Sequence, residues 1–140
     1  MRNNKGFSLV ELIIVIAIMA ILIGVMAPQL IKYIEKTNVS SDTQLCDTVK
    51  SAVTTAVMDP SVLNDASSKT RLAATGTWIN VSTLSGTSEF DKAVQETLGM
   101  DASSILTIDT KIKSVHGTGT PSGIQYNIMG SNSVHVRIPS

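Results

Sequence analysis

Residues 6–31 read GFSLVELIIVIAIMAILIGVMAPQLI, and this stretch decides the architecture. A short leader, MRNNKG, precedes the apolar run and carries Arg2 and Lys5. The run holds one acid, Glu11, and a carboxylate inside an apolar segment is costly unless something compensates it. A cleaved secretory signal would need a shorter apolar core and small residues after it; Ala27-Pro28-Gln29 suits that poorly. A buried helix apolar on all sides needs more protein around it than 140 residues supply. A membrane span fits best. Phe7 to Ala27 would be about 32 Å long as a helix, against a hydrocarbon core of about 30 Å. Thirteen of those 21 residues are Leu, Ile, Val or Phe. Together they favour insertion by roughly 4–8 kcal/mol, whereas one mid-bilayer acid costs about 3 kcal/mol and less near a span end. Arg2 and Lys5 bias the N-terminus towards the cytoplasm.

The run Gly6-Phe7-Ser8-Leu9-Val10-Glu11, behind a basic leader and before a long span, resembles the processing site of type IV prepilins and the related pseudopilins. The resemblance is strong over residues 1–31, looser to about Met58, and says little about residues 59–140. It implies cleavage after Gly6 by a prepilin peptidase and methyltransferase, and N-methylation of Phe7. It implies that Glu11 pairs with the Phe7 ammonium of a neighbouring subunit during assembly. Pairing would offset much of the several kcal/mol an isolated buried carboxylate costs. The plain alternatives are that Glu11 snorkels to the headgroups of an ordinary anchor and that Gly6 is merely flexible.

Pro28 lacks an N–H, and its ring crowds the Gly24 carbonyl, so a kink or local melting is expected between Gly24 and Pro28. Alternatively Pro28 ends the span. Ala20 and Gly24 form a weak small-xxx-small pair.

The chain carries 11 basic and 11 acidic residues. Loss of the leader would leave nine against eleven. No basic patch argues for specific nucleic-acid binding. Cys46 is the single cysteine in the sequence, so no internal disulfide can form. Many pilins of double-membrane bacteria close a C-terminal loop with a disulfide, so this departure favours a single-membrane source.

Leu45, Val49, Ala52, Val53 and Ala56 form one apolar helical stripe, with Cys46 and Val57 on its rim. The stripe begins near Leu45. Residues 30–44 are therefore expected to project bare, offering Lys32, Tyr33, Glu35, Lys36 and Asp42 to neighbouring subunits. Asp59-Pro60 should end the helix. Residues 61–75 read as a polar loop with at most a turn of helix. A short strand is expected at Gly76–Val81. A helix capped by Ser88 and stopped by Gly99 should carry Phe90, Ala93, Val94 and Leu98. Alternation predicts three strands in an antiparallel meander, at 106–112, 124–128 and 134–138. Gly130-Ser131-Asn132 suits a hairpin turn, and Gly117–Gly123 a longer loop.

The organisation expected is a leader (1–6), a transmembrane and assembly helix (7–31), its amphipathic continuation (32–58) and a globular α+β head (59–140). Catalytic, metal and cofactor sites find no support: His135 should face solvent, and His116 has no Cys or His near it to suggest a metal pair. The resemblance implies a structural subunit of a type IV pilus or pilus-like filament. It would enter the cytoplasmic membrane as a single-pass prepilin with its N-terminus inside. Its partners would be the peptidase, the inner-membrane assembly platform with its ATPase, and other pilin subunits. The rivals are a pseudopilin of a type II secretion or DNA-uptake system and a signal-anchored surface-binding domain that never polymerises.

Overall fold

The computed structural model describes residues 6–73, 76–114, 123–130 and 133–139. Leader residues 1–5, His116, most of the Gly117–Gly123 loop, and Ser131 and Asn132 of the expected hairpin turn lie outside the described residues. The chain divides into two units, residues 1–37 and 38–140. One helix, α1 (Leu9–Met58), contributes to both.

In the first unit the apolar surface is uncovered. Every large hydrophobic side chain from Phe7 to Ile34 has at least half its surface open. The helix is long and apolar enough to cross a membrane. A helix apolar on all sides cannot rest in water and needs lipid or protein around it.

The second unit is an α+β head. Of the helix face expected from the i, i+4, i+7 spacing, Val49, Ala52, Val53 and Ala56 are at most 1% exposed and Leu45 is half-buried; Val57, expected on the rim, is buried too. Helix α1 stops at Met58 because Asp59, preceding a proline, adopts extended backbone (φ −72°, ψ 125°). The same Asp59 starts the next helix, α2 (Pro60–Asn64), by accepting from the Ser61 N–H at 2.8 Å. Helix α3 (Ala66–Ala73) follows. Asp65 accepts from the Ser68 N–H at 2.8 Å and from the Ser67 and Ser68 hydroxyls at 2.6 Å. Those hydrogen bonds, led by the Ser67 hydroxyl, hold the Asp65 carboxyl well below the usual carboxylate range. The expected loop at 61–75 is thus two short helices over its described residues, each begun by an aspartate.

Strand β1 (Ile79–Asn80) leads into a 3-10 turn, Val81–Thr83. Helix α4 (Glu89–Leu98) begins at Ser88, whose hydroxyl accepts from the Asp91 N–H at 3.2 Å. It ends at Gly99 in the left-handed region (φ 64°), where the Met100 N–H reaches back to the Gln95 carbonyl at 2.9 Å. Both ends are as the sequence predicts. An Arg71–Asp91 ion pair at 3.3 Å ties α3 to α4.

The run 106–112 is not a strand. Helix α5 (Ala102–Leu106) and a 3-10 turn (Ile108–Lys111) occupy it. Asp101 caps α5 through the Ser104 N–H at 2.9 Å. Ile105 and Ile108, three apart, are fully buried, whereas Leu106 is 57% exposed. Helical spacing therefore overrides the alternation. Thr107 and Thr110 hydroxyls donate to carbonyls three residues back, which suits the tight turn.

Strands β2 (Gln125–Met129) and β3 (Ser133–Arg137) form where alternation places them. The sheet is antiparallel in the order β1-β2-β3, with Asn80, Gln125 and Arg137 in register, as are Ile79, Tyr126 and Val136. Its inner face, with Ile124, Tyr126, Ile128 and Val134, joins the α1 stripe, Phe90 and Val94 in one core. Gly123 is required before β2. It has φ +85°, and a Cβ there would sit 2.7–2.9 Å from the Asp109 carboxylate. That carboxylate accepts from the Ile124 N–H at 2.8 Å.

One expectation fails at a single residue with wide effect. Asp42 is not offered to neighbours; it is 4% exposed. Its carboxylate accepts from the Lys113 N–H at 2.9 Å, the Ser114 N–H at 2.8 Å and the Ser114 hydroxyl. The head grips α1 nearly a turn before Leu45, through a polar clamp rather than an apolar stripe. Asp42→Ala would strip the clamped backbone of its acceptor, costing about 1.5–3 kcal/mol. A fragment of residues 32–140 carrying it should melt on the order of 10 °C lower. Asp42→Asn, which keeps one acceptor oxygen, should fall between variant and parent. An unchanged melt for Asp42→Ala would refute the clamp.

Candidate processing and assembly segment

Gly6, Phe7 and Ser8 lie before the helix in irregular backbone, so the Gly6–Phe7 peptide bond is outside α1. Phe7 is 93% exposed. A Cβ on Gly6 would meet nothing within 4 Å. Packing among the described residues therefore makes no demand for glycine at this position.

Ser8 precedes the first helical residue, and Glu11 is three residues further on. The Glu11 carboxylate accepts from the Ser8 backbone N–H at 2.9 Å. This is half of a capping box, in which the acid at the third helical position satisfies a backbone donor left free at the helix start. Sequence reasoning passed over Ser8, although the Ser-x-x-Glu spacing before an apolar run carries the signal. Glu11 is itself exposed and stands four residues after Phe7.

Helical backbone continues without a break through Gly24 and Pro28, so Pro28 sits inside α1. It cannot donate to the Gly24 carbonyl. A Cβ on Gly24 would also find open space.

His135 is exposed on β3, 3.3 Å from the Ser133 hydroxyl. On the same outer sheet face the Arg137 guanidinium lies 3.9 Å from the Trp78 ring centre. Gln125 accepts from Arg137 at 3.1–3.2 Å and donates to Asn80 at 3.0 Å. This polar ladder crosses all three strands. Cys46 is half-buried; burial first, then the Asp42 and Asp47 charges, push its thiol above the ordinary range and keep it a thiol. Among the described residues no three His, Cys, Asp or Glu side chains are grouped to hold a metal.

The N-terminal geometry thus presents an accessible Gly–Phe bond, a helix-capping acid and an unburied apolar helix. The family described as the prokaryotic N-terminal methylation motif matches residues 1–27. The chain is type IV prepilin-like. Among curated proteins, it is 55% identical over 38 residues to the type IV wide pilus major component PilA4 of Thermus thermophilus. That alignment covers 27% of this chain and 29% of the relative, so the likeness spans less than a third of either. No solved structure matches the chain.

Proposed function

We propose that this chain is a structural subunit of a type IV pilus, made as a membrane-inserted prepilin and polymerised through its N-terminal helix. The observation that carries the reading is the Gly6–Phe7 bond, outside the helix and ahead of Glu11 and an apolar span that is exposed along its length. Among the described residues, glycine at position 6 serves no packing. A demand from outside, by the cleft of a peptidase, accounts for it. Cleavage after Gly6 frees an amine on Phe7, which the peptidase then methylates.

In this reading Arg2 and Lys5 keep the leader in the cytoplasm and the head is exported. The apolar helix passes from lipid into the filament, one low-dielectric surrounding to another. Assembly there runs through the inner-membrane platform and its ATPase, with other pilin subunits as neighbours. Glu11 changes partner on the way: the Ser8 N–H in the free chain, the Phe7 ammonium of a neighbour in the filament. Gly24 and Pro28, already one backbone hydrogen bond short, are where α1 bends or unwinds during packing. The pilus role borne by the relative favours a pilus over a pseudopilus.

Mass spectrometry of the mature protein tests the reading. The expected N-terminus is Phe7 carrying one added methyl group. An intact Met1 terminus in cells that contain the peptidase would leave an ordinary signal anchor.

A further inference from the structure

Two grooves flank α1 within the head unit, and each is lined by charge of one sign. The first, of about 290 Å³, has Asp42 and Asp47 among its walls, with Val39, Cys46, Val136 and Ile138, and among the described residues neither lysine nor arginine. The second, of about 400 Å³, has Lys111 and Lys113 beside Gln44, Leu45 and Thr48, and no acid among the described residues. At 3.6 residues per turn their α1 walls lie roughly 180° apart on the helix.

Asp42 is spent on the backbone clamp. Asp47 is exposed, as are Lys111 and Lys113. Both ion pairs among the described residues, Arg71–Asp91 and Lys92–Glu89, leave these three out, and Lys50, one turn beyond Asp47, as well. The acids of the first groove and the lysines of the second thus sit on opposite flanks of one subunit, each beside apolar surface, with Lys50 next to Asp47.

We propose that these flanks dock copy to copy: the acidic groove of one head receives the Lys111 and Lys113 flank of the next. The proposal rests on the filament reading above and names a contact between heads, separate from the apolar helix. A two-fold dimer through the basic flank would set like charge against like. Acidic flank against basic flank leaves one of each free at the ends, so the contact repeats and builds an open chain. Exposed ion pairs contribute little by themselves. Here Val39, Val136 and Ile138 supply the apolar contact, while the charges select orientation and reject the wrong flank.

Charge reversal in the full chain tests this. Filaments sheared from cells are measured against the processed chain in the membrane. Asp47→Lys should lower the filament fraction roughly tenfold, and Lys111→Glu with Lys113→Glu should do the same, since each sets like charges together. All three changes combined should restore it to near the parent. Normal filaments from the partial variants would overturn the proposal, as would a combined variant that folds, is processed and stays low. A second measurement guards against misfolding. In a Cys46→Ser background, Thr43→Cys and Thr48→Cys place one thiol on each flank with all charges kept. A short thiol cross-linker should then give a ladder of multimers from filaments, and monomers alone would overturn the contact. Parent cells without any filaments would overturn the filament reading, whereas parent filaments indifferent to every reversal would overturn this contact alone.

Discussion

Glu11→Val should leave membrane insertion intact and cut filament assembly steeply. Insertion should be at least as good as in the parent, since Val removes a cost of roughly 3 kcal/mol or less at this depth. Cleavage should largely persist, because Gly6 and Phe7 are untouched. Assembly should fail because the Phe7 ammonium, carried into an apolar filament core, loses its counter-charge, a loss of several kcal/mol per subunit. The Ser8–Glu11 hydrogen bond adds a second effect that must be separated from the first. Glu11→Gln does so: a glutamine amide can still accept from the Ser8 N–H, but it brings no charge. If pairing matters, Gln should fail nearly as badly as Val. If capping is the whole role, Gln should assemble like the parent. Glu11→Asp keeps the charge on a shorter arm and should rank above both. Normal filaments shown to contain Glu11→Val subunits would refute the pairing role.

Val49→Asp should abolish the folded head. Val49 is fully buried on α1 within the apolar core. A carboxylate there has no cation or donor to meet it, and leaving it unpaired costs several kcal/mol. That is comparable with the whole stability of a small domain, about 5–15 kcal/mol. A fragment of residues 32–140 should therefore lose its cooperative thermal transition. Ser51→Asp, two residues on and exposed, should melt like the parent. A Val49→Asp fragment with an unshifted melt would mean that this face of α1 does not enter the core.

What the sequence made legible follows from where the physics is local. The stripe from Val49 to Ala56 announces itself through helical spacing, because burial of one face is the only use for such a pattern. Ser88 and Gly99 mark the ends of α4 by backbone demands that few residues meet. Strands β2 and β3 show in clean alternation. The run 106–112 misleads because Ile105 and Ile108 share a helical face while Ile108 also fits an alternating set; a short apolar run satisfies both periods. Helices of five and eight residues, such as α2 and α3, are too brief for a period to show. Their aspartate starts were the better guide. Asp42 could not be read locally at all. Its partners are 71 and 72 residues away, and nothing near position 42 hints at them. At the N-terminus, Gly6, Phe7, Glu11 and the span form a recognisable motif, whereas the Ser8 cap is a single polar residue at the edge of a long apolar run and is easily overlooked.

The clamp at Asp42 also has a mechanical meaning. It is the first buried side chain of α1 in chain order, and the bonds it holds lead to a segment far along the chain. Tension drawn along the helix would reach the head at this residue before the apolar stripe. The load would fall on a few short polar bonds acting together, which resist sliding better than oily contacts that can slip past one another. Asp42 would then serve as the bollard to which the head is moored.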